Sequence, residues 1–520
     1  MQNAIVFFVV SFFSLTLLFA KKTAIHDTDI RHNMPVRGAL HPYAVSRKNA
    51  KRFEKKFRGR FRKKPRFSAL TRKHKIYLLT KKEAQSRALK KFYIKSTGKE
   101  PPYAFYDTTY RQRLKRGLKS LEDLLTGYKD ARLNDKLLYA IADEYPEIAR
   151  LYEIGRTRLG REILAVRLGS FSFNSRIADD AKKIPMLFNC SIHGDEMTSA
   201  EHCYRILYSI LKNQKKYQDV LQHIDLWIVP LVNPDGAHLF WHQSYAMGRK
   251  NGRLLDGQTK TTLGRGVDLN RNFPFLWESG QTKASTDKPD AWNYRGDTPA
   301  SEPETQALID LFEERRFVYS ISFHSAATKL LIPYTIEHVQ NPEPDYASVF
   351  GHEISKTVVS HNPKKKFIAT KNLYPVDGTD QDFFYFKYGT LAYILETSYH
   401  NCDYRYVQYY LEGYDALWEQ FLRDYANNYK FALRVVDETG NPIEAEIQFS
   451  DLIWHNKEKH TTNPENGTFF RMTKSIESIQ VKITADGFKT TTLAIEPLGE
   501  GYPSPQKIIL PRVDSLLMEK

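Results

Sequence analysis

One short segment carries two side chains suited to hold a metal ion. His193 and Glu196 lie three residues apart, directly after an apolar strand-like run and before an amphipathic helical pattern. In open α/β sheets ligands bind at the carboxyl ends of strands, so both side chains are predicted to point into one cleft. Zinc accepts imidazole nitrogen and carboxylate oxygen as ligands. The pattern alone is weak, because a polar strand end before a capped helix has the same appearance.

A second pair of histidines could also bind a metal. His238 and His242 are four residues apart and would share one face of a helix. The residues between them, Leu239-Phe240-Trp241, lack the glutamate of an HExxH zinc helix. The aromatic content indicates a helix that packs in the core.

An arginine next to an asparagine follows another strand-like run. Asn270-Arg271 lies within Gly266–Pro274 and offers a fork of donors suited to a carboxylate. A structural arginine that satisfies backbone carbonyls would have the same sequence, so both interpretations stay open at this point.

The elements that must position these residues alternate between strand and helix patterns. Strands are predicted at Ile163–Leu168, Ile184–Ile192, Ile224–Val232, Tyr319–His324 and Leu391–Glu396, with an amphipathic helix at Met197–Leu211. This alternation favours the α/β class, with a largely buried sheet.

The pattern changes near Tyr429. Phe431, Leu433 and Val435 alternate with other residues, and similar alternation recurs to about residue 510 with no helical period. Several short strands over about 85 residues predict a small all-β sandwich.

Several motifs occur in one order along the chain. They are His193-x-x-Glu196, Asn233-Pro234-Asp235-Gly236, Gly266–Phe273, Tyr294-Arg295-Gly296, Ser301–Thr305, His324-Ser325 and Glu396, preceded by Tyr139–Gly169. This ordered set resembles the M14 zinc metallocarboxypeptidase family over about residues 120–425. Several motifs in one order are far more specific for a family than any single motif. The resemblance implies an α/β/α mixed-sheet zinc carboxypeptidase domain.

The resemblance also implies a role for each matched position. His193, Glu196 and His324 match the ligands of one Zn²⁺ per chain, and Glu396 matches the general base. Two histidines and a glutamate, with water in the fourth place, form a catalytic rather than a structural zinc site, as they do in carboxypeptidase A of the same family.

Further positions match residues that orient a ligand or bind substrate. Asp268 matches a carboxylate that orients a ligand histidine, here His193. Asn270 and Arg271 match the pair that binds the terminal carboxylate of the substrate, and Tyr374 matches a mobile tyrosine that covers it.

The arginine that polarises the scissile carbonyl is less well defined. Arg253 lies 17 residues before Asn270, which is the spacing that the resemblance implies. Because the intervening loop varies in length, Arg249 remains an alternative.

The preference for the terminal residue of the substrate depends on a pocket, and the motifs identify some of its residues. Gln381, followed by Asp382, resembles the carboxypeptidase N/E subgroup, which removes C-terminal Lys or Arg and carries a transthyretin-like sandwich. The acidic pocket residue of that subgroup would fall near Thr335, which carries no charge, although Glu337 is close. A preference for basic residues is therefore not established by the sequence.

Composition and charge divide the chain into segments. The hydrophobic fraction of 41% and the aromatic fraction of 13% are those of a folded protein. Residues 21–100 contain 26 Lys and Arg against 5 Asp and Glu, which is a net charge of +21. The rest of the chain sums to about −4, so the formal charge of +17 comes from this segment alone. Phe53, Phe57 and Phe61 would form one apolar stripe on a basic helix.

The predicted organisation has four parts. Residues 1–20 are a signal peptide or membrane anchor, and residues 21–115 are a basic segment that is a candidate pro-segment, a contact for anionic surfaces or a solvated linker. Residues 116–427 form the catalytic domain, and residues 428–513 form a transthyretin-like sandwich. The apolar run Ala4–Ala20 is short for a membrane span, which favours a secreted or periplasmic protein over an anchored one. Three cysteines allow at most one disulfide. We expect a monomer.

The leading prediction is a peptidase that acts on peptide or protein C-termini. Cleavage of cell-wall peptides that end in a diamino acid and a non-catalytic binding protein are the alternatives. No nucleic-acid-binding motif accompanies the basic segment, so no specific nucleic-acid partner is predicted.

Overall fold

The computed structural model describes most of the chain from residue 109 onward and four shorter stretches before it. The described residues are 41–60, 66–70, 74–79, 95–96, 109–171, 182–242, 248–254, 266–325, 327–359, 366–398, 401–402 and 404–513. The predicted signal or anchor, residues 1–20, lies outside them. Among the described helices, none has the length and apolar character needed to cross a bilayer.

The described part of the basic segment is folded. It consists of β1 (His41–Ser46), α1 (Arg47–Arg60), β2 (Arg66–Leu70), β3 (His74–Leu79) and β4 (Lys95–Ser96). The strands form an antiparallel sheet of order β2-β3-β1-β4.

Helix α1 carries part of the predicted apolar stripe. Phe53 is fully buried, while Lys51 and Arg52 are exposed. Phe61 and the side chain of Phe57 lie outside the described residues. That this segment contacts anionic surfaces or acts as a pro-segment stays a prediction.

The centre of the molecule is an eight-stranded sheet. Its strands are β5 (Ala149–Arg156), β6 (Glu162–Leu168), β7 (Ile184–Cys190), β8 (Ile224–Val229), β9 (Tyr319–His324), β10 (Lys329–Leu331), β11 (Ala369–Thr370) and β12 (Leu391–Glu396). Their order is β11-β10-β12-β9-β7-β8-β6-β5. The four central strands β12, β9, β7 and β8 are parallel neighbours, and antiparallel pairs lie toward both edges. The predicted mixed-sheet α/β fold is confirmed.

Burial explains why the central strands read as continuous apolar runs. Every residue of β7, β8 and β9 is buried, so both faces of the sheet are covered. The helices of this part are α2 (Tyr110–Arg116), α3 (Ala131–Glu144), α4 (Met197–Lys212), α5 (Gln218–His223), α6 (Pro234–His242), α7 (Pro303–Arg315), α8 (Tyr346–Ser355), α9 (Asp380–Tyr388), α10 (Tyr404–Glu412) and α11 (Asp415–Asn427).

The core of this part begins before residue 116. Tyr110, in α2, belongs to the main hydrophobic cluster, and its hydroxyl donates a hydrogen bond of 2.6 Å to Asp130. The predicted boundary at 115/116 therefore falls within a helix that packs on the central unit.

The C-terminal region has two further sheets. Its strands are β13 (Tyr429–Val436), β14 (Glu446–Phe449), β15 (His460–Thr461), β16 (Thr468–Thr473), β17 (Ile479–Thr484), β18 (Thr491–Ile495) and β19 (Gln506–Ile509). The sheets have the orders β16-β13-β19 and β15-β14-β17-β18. Alternating side chains of both sheets, among them Phe431, Leu433, Ile447 and Val481, form one hydrophobic cluster. This arrangement supports the predicted sandwich; its transthyretin-like character stays a prediction.

A disulfide links the strand and the helix that flank the first candidate metal ligands. Cys190 ends β7 and Cys203 lies in α4, and both are fully buried. This pair agrees with the prediction of at most one disulfide. It closes the loop that contains His193 and Glu196.

Candidate metal and catalytic site

Two histidines and a glutamate meet where strands β7 and β9 end. These strands are parallel neighbours, so the residues at and beyond their carboxyl ends lie side by side. His193 Nδ1 lies 2.9 Å from Glu196 Oε1, and His324 Nδ1 lies 3.2 Å from Glu196 Oε2. One ligand atom from each residue falls within 4.8 Å of the others, which makes the three a candidate metal group.

The second ring nitrogen of His193 faces a carboxylate behind it. His193 Nε2 lies 3.1 Å from Asp268 Oδ1, and Asp268 is fully buried. Asp268 can accept a hydrogen bond from an Nε2–H group, and this tautomer directs the lone pair of Nδ1 toward Glu196 and His324. Burial would raise the pKa of Asp268, but Arg249 and His193 outweigh it and hold the pKa well below its usual range.

Two contacts of the metal group were not anticipated from the sequence. Ser325 N–H donates to Glu196 Oε2 at 3.0 Å, and Ser322 Oγ lies 3.3 Å from His324 Nε2. Ser322 and His324 are two apart on β9, so the alternation of side chains along a strand could have indicated that they share a face.

Glu396 lies at the end of β12, beside the metal group. It is paired with His324 in the parallel register of β12 and β9. Its Oε2 atom is buried and has no hydrogen-bond partner among the described residues. Burial of the carboxyl, with the negative charge of Glu196 nearby, raises the pKa of Glu396 to about 7. A carboxyl with such a pKa can both accept and release a proton near neutral pH.

The two candidate arginines lie in different environments. Arg249 donates from Nε to Asp268 Oδ2 at 2.9 Å, and its Nη1 lies 3.3 Å from His193 Nδ1 and 3.9 Å from Glu196 Oε1. Arg253 instead forms ion pairs with the buried Glu302, at 2.7 Å, and with Asp297. The structure therefore brings Arg249, not Arg253, to the metal group. Which of the two arginines polarises the scissile carbonyl stays a prediction.

Asn270 and Arg271 form a short 3₁₀ turn at Leu269–Arg271, and both are buried. Arg271 Nε donates to the Ala284 carbonyl at 3.0 Å and Nη1 donates to the Asn270 carbonyl at 2.6 Å. Nη2 lies 3.5 Å from the hydroxyl of Tyr374, which is 45% exposed. The structural interpretation is confirmed, because backbone carbonyls accept hydrogen bonds from the guanidinium. That the Nη2 edge, which faces Tyr374, binds a carboxylate stays a prediction.

The predicted pocket residues contact one another. Thr335 donates its N–H and its hydroxyl to Asp382, and Gln381 Nε2 donates to Thr335 Oγ1 at 3.3 Å. Burial raises the pKa of Asp382 to about 6. The Gln381 Oε1 atom is buried and has no partner among the described residues. Glu337, the suggested acidic substitute, has a side chain that is 56% exposed.

The second histidine pair lies outside this group. His242 Nε2 is 2.8 Å from Asp130, and the rings of His238 and His242 pack together on α6 with centroids 4.6 Å apart. This agrees with the prediction of a packing helix.

Comparison with known proteins assigns the central part of the chain to a family model. The model described as zinc carboxypeptidase, peptidase M14, matches residues 135–414. Human mast cell carboxypeptidase A is 30% identical over 253 residues, which are 47% of this chain and 56% of that protein. The chain thus spans about half the length of the curated relatives it matches first.

Solved structures share the fold. Thrombin activatable fibrinolysis inhibitor has a TM-score of 0.51 at 17% identity, covering 74% of this chain and 98% of that chain. Carboxypeptidase A from Helicoverpa armigera has a TM-score of 0.50 at 21% identity, covering 74% of this chain and 96% of that chain.

Proposed function

The chain belongs to the M14 zinc carboxypeptidase family, and we propose that it is a zinc-dependent metallocarboxypeptidase that hydrolyses the C-terminal peptide bond of peptides or proteins. One observation carries the proposal. The His193, Glu196 and His324 group, the unpartnered carboxyl oxygen of Glu396 and the oriented guanidinium of Arg249 meet at the carboxyl ends of adjacent strands within the described part of the chain.

The donor set fits zinc. His193 Nδ1, His324 Nδ1 and a carboxylate oxygen of Glu196 would hold the ion, and Asp268 keeps the His193 ring in the required tautomer. When bound, zinc supplies a Lewis acid that activates water and polarises a carbonyl oxygen.

Glu396 and Arg249 supply the proton transfer and the charge stabilisation. Glu396 Oε2 takes a proton from the attacking water and returns it to the nitrogen of the leaving amine. The guanidinium of Arg249, fixed by Asp268, donates to the oxygen on which negative charge develops. Because Arg249 is already oriented, it does not have to reorganise during the reaction.

Arg271 explains why only the last bond would be cleaved. Its Nη2 is the donor directed to Tyr374, and a terminal carboxylate accepts hydrogen bonds from a guanidinium. An internal residue of a substrate offers no such carboxylate. Arg271 therefore favours an exopeptidase over an endopeptidase.

A peptide panel tests this function. We expect the zinc-loaded protein to release single residues from peptides with a free C-terminus and to shorten the amidated forms of the same peptides more slowly. A chelator should stop release and added zinc should restore it, as read by mass spectrometry. Release from no peptide with zinc bound would overturn the proposal, and release only from peptides that end in a diamino acid would favour cell-wall substrates.

Gln381 leads to a prediction about the terminal residue. Its buried Oε1 acceptor lacks a partner among the described residues, and an unmade buried hydrogen bond costs about 1–3 kcal/mol. We expect terminal residues with a side-chain donor to be preferred over leucine. Gln381→Leu should lower this preference about tenfold or more, measured as the ratio of kcat/KM values for matched peptides. Gln381→Asn keeps the amide and serves as the control; equal ratios for the wild type and Gln381→Leu would contradict the prediction.

A further inference from the structure

An exposed tryptophan stands at the edge of the candidate site. Trp292 is 46% exposed, and the guanidinium carbon of Arg249 lies 4.9 Å from its ring centroid. The ring of Tyr374 is 6.5 Å away at an interplanar angle of 67°. Trp292 therefore contacts the arginine nearest the metal group and faces the tyrosine that lies beside Arg271.

The backbone next to Trp292 is tied to the residue that follows Arg249. Lys250 is buried, and its Nζ donates to the carbonyls of Pro289 at 2.7 Å and Ala291 at 2.8 Å. A buried ammonium that bridges two carbonyls limits the movement of the segment that carries the ring. The tryptophan and the arginine therefore keep a defined relative position.

The two interactions of Arg249 are complementary. Its Nε and Nη2 edge pairs with Asp268, at 2.9 and 2.8 Å, and its guanidinium lies over the indole of Trp292. A contact along one edge leaves a guanidinium free to rotate about that edge. A ring whose centroid lies 4.9 Å from the guanidinium carbon restricts that rotation. The indole is also the aromatic ring that attracts a cation most strongly.

We infer that Trp292 is a positioning residue, which holds the guanidinium plane of Arg249 toward the metal group and forms the surface on which Tyr374 packs when a substrate is bound. This inference rests on the proposed function. Trp292 acts through Arg249 and Tyr374, so its replacement should change the rate of the chemical step more than the affinity for substrate.

Kinetics of two variants test the inference. We expect Trp292→Ala to lower kcat/KM about tenfold, with most of the loss in kcat, and Trp292→Phe to recover activity to within about threefold of the wild type because phenylalanine keeps an aromatic face. Trp277 is a matched control, since the guanidinium carbon of Arg295 lies 4.8 Å from its ring centroid. Trp277→Phe should keep kcat/KM within about twofold. A Trp292→Ala variant with wild-type kcat, or no recovery in Trp292→Phe, would overturn the inference.

Fluorescence separates this inference from the proposed function. In zinc-loaded Glu396→Gln protein, a peptide without tryptophan should change the emission as Tyr374 packs on Trp292. The change should be lost when Trp292→Phe is added and kept when Trp277→Phe is added. A wild type without activity overturns the function; a fluorescence change that survives Trp292→Phe overturns the positioning role, whatever the activity.

Discussion

Replacing Glu396 by glutamine is expected to lower kcat about 10³-fold while zinc stays bound, because general acid–base catalysis contributes about 10²–10⁴-fold and a glutamine cannot take the proton. The side chains of glutamate and glutamine are almost equal in size. Glu396 Oε2 makes no hydrogen bond to a described residue, so the substitution breaks no such contact of that atom and removes a buried charge. The thermal midpoint should not fall.

The measurements are kcat on a peptide substrate, zinc content and the thermal midpoint of the same preparation. Glu412→Gln is the matched control, since Glu412 is a solvent-exposed glutamate at the end of α10, with 61% of its side chain exposed. It should keep the wild-type kcat. A Glu396→Gln protein that hydrolyses peptides at the wild-type rate would exclude Glu396 as the general base.

The second large effect should distinguish the two arginines. Arg249→Ala is expected to lower kcat about 10²–10³-fold, the usual cost of removing a donor to a developing oxyanion. Arg249 lies 3.9 Å from Glu196 and is fixed by Asp268, so it is the candidate that reaches the reacting oxygen. Zinc content should be measured with kcat, because Asp268 also orients His193.

Arg253→Ala is the paired variant and should affect stability instead. Arg253 pairs with Glu302, which is fully buried, so its removal leaves an acceptor without one of its charged donors. We expect the free energy of unfolding to fall by about 1–3 kcal/mol, with kcat within a few-fold of the wild type. The opposite result, a catalytic defect in Arg253→Ala and none in Arg249→Ala, would show that the spacing of 17 residues before Asn270 identified the arginine correctly.

Much of the central fold was predictable because its signals are local. Strands β7, β8 and β9 are buried along their whole length and therefore appear as apolar runs, and the C-terminal strands alternate because only one face of each sheet meets the shared core. The sequence placed Phe53 on the apolar face of a helix, and that side chain is buried in α1. The sheet formed by β1 to β4 was not predicted, because an antiparallel order such as β2-β3-β1-β4 depends on contacts between distant strands.

The residues that could form the site were identifiable from the amino-acid sequence. Each of them ends or follows a recognisable strand or turn, and their order along the chain carried the family resemblance. They are His193-x-x-Glu196, Asp268, Asn270-Arg271, His324 and Glu396. Strand ends in a parallel sheet converge, so a correct strand assignment already predicts that such residues meet.

Two features required the three-dimensional structure: which arginine faces the metal group, and what surrounds the pocket. Sequence spacing cannot locate a side chain across a loop of variable length, and the ion pair of Arg253 with Glu302 joins residues 49 positions apart. The contact of Trp292 with Arg249 and the pairing of Thr335 with Asp382 are of the same kind. They depend on how distant segments pack, and no local pattern of residues specifies that packing.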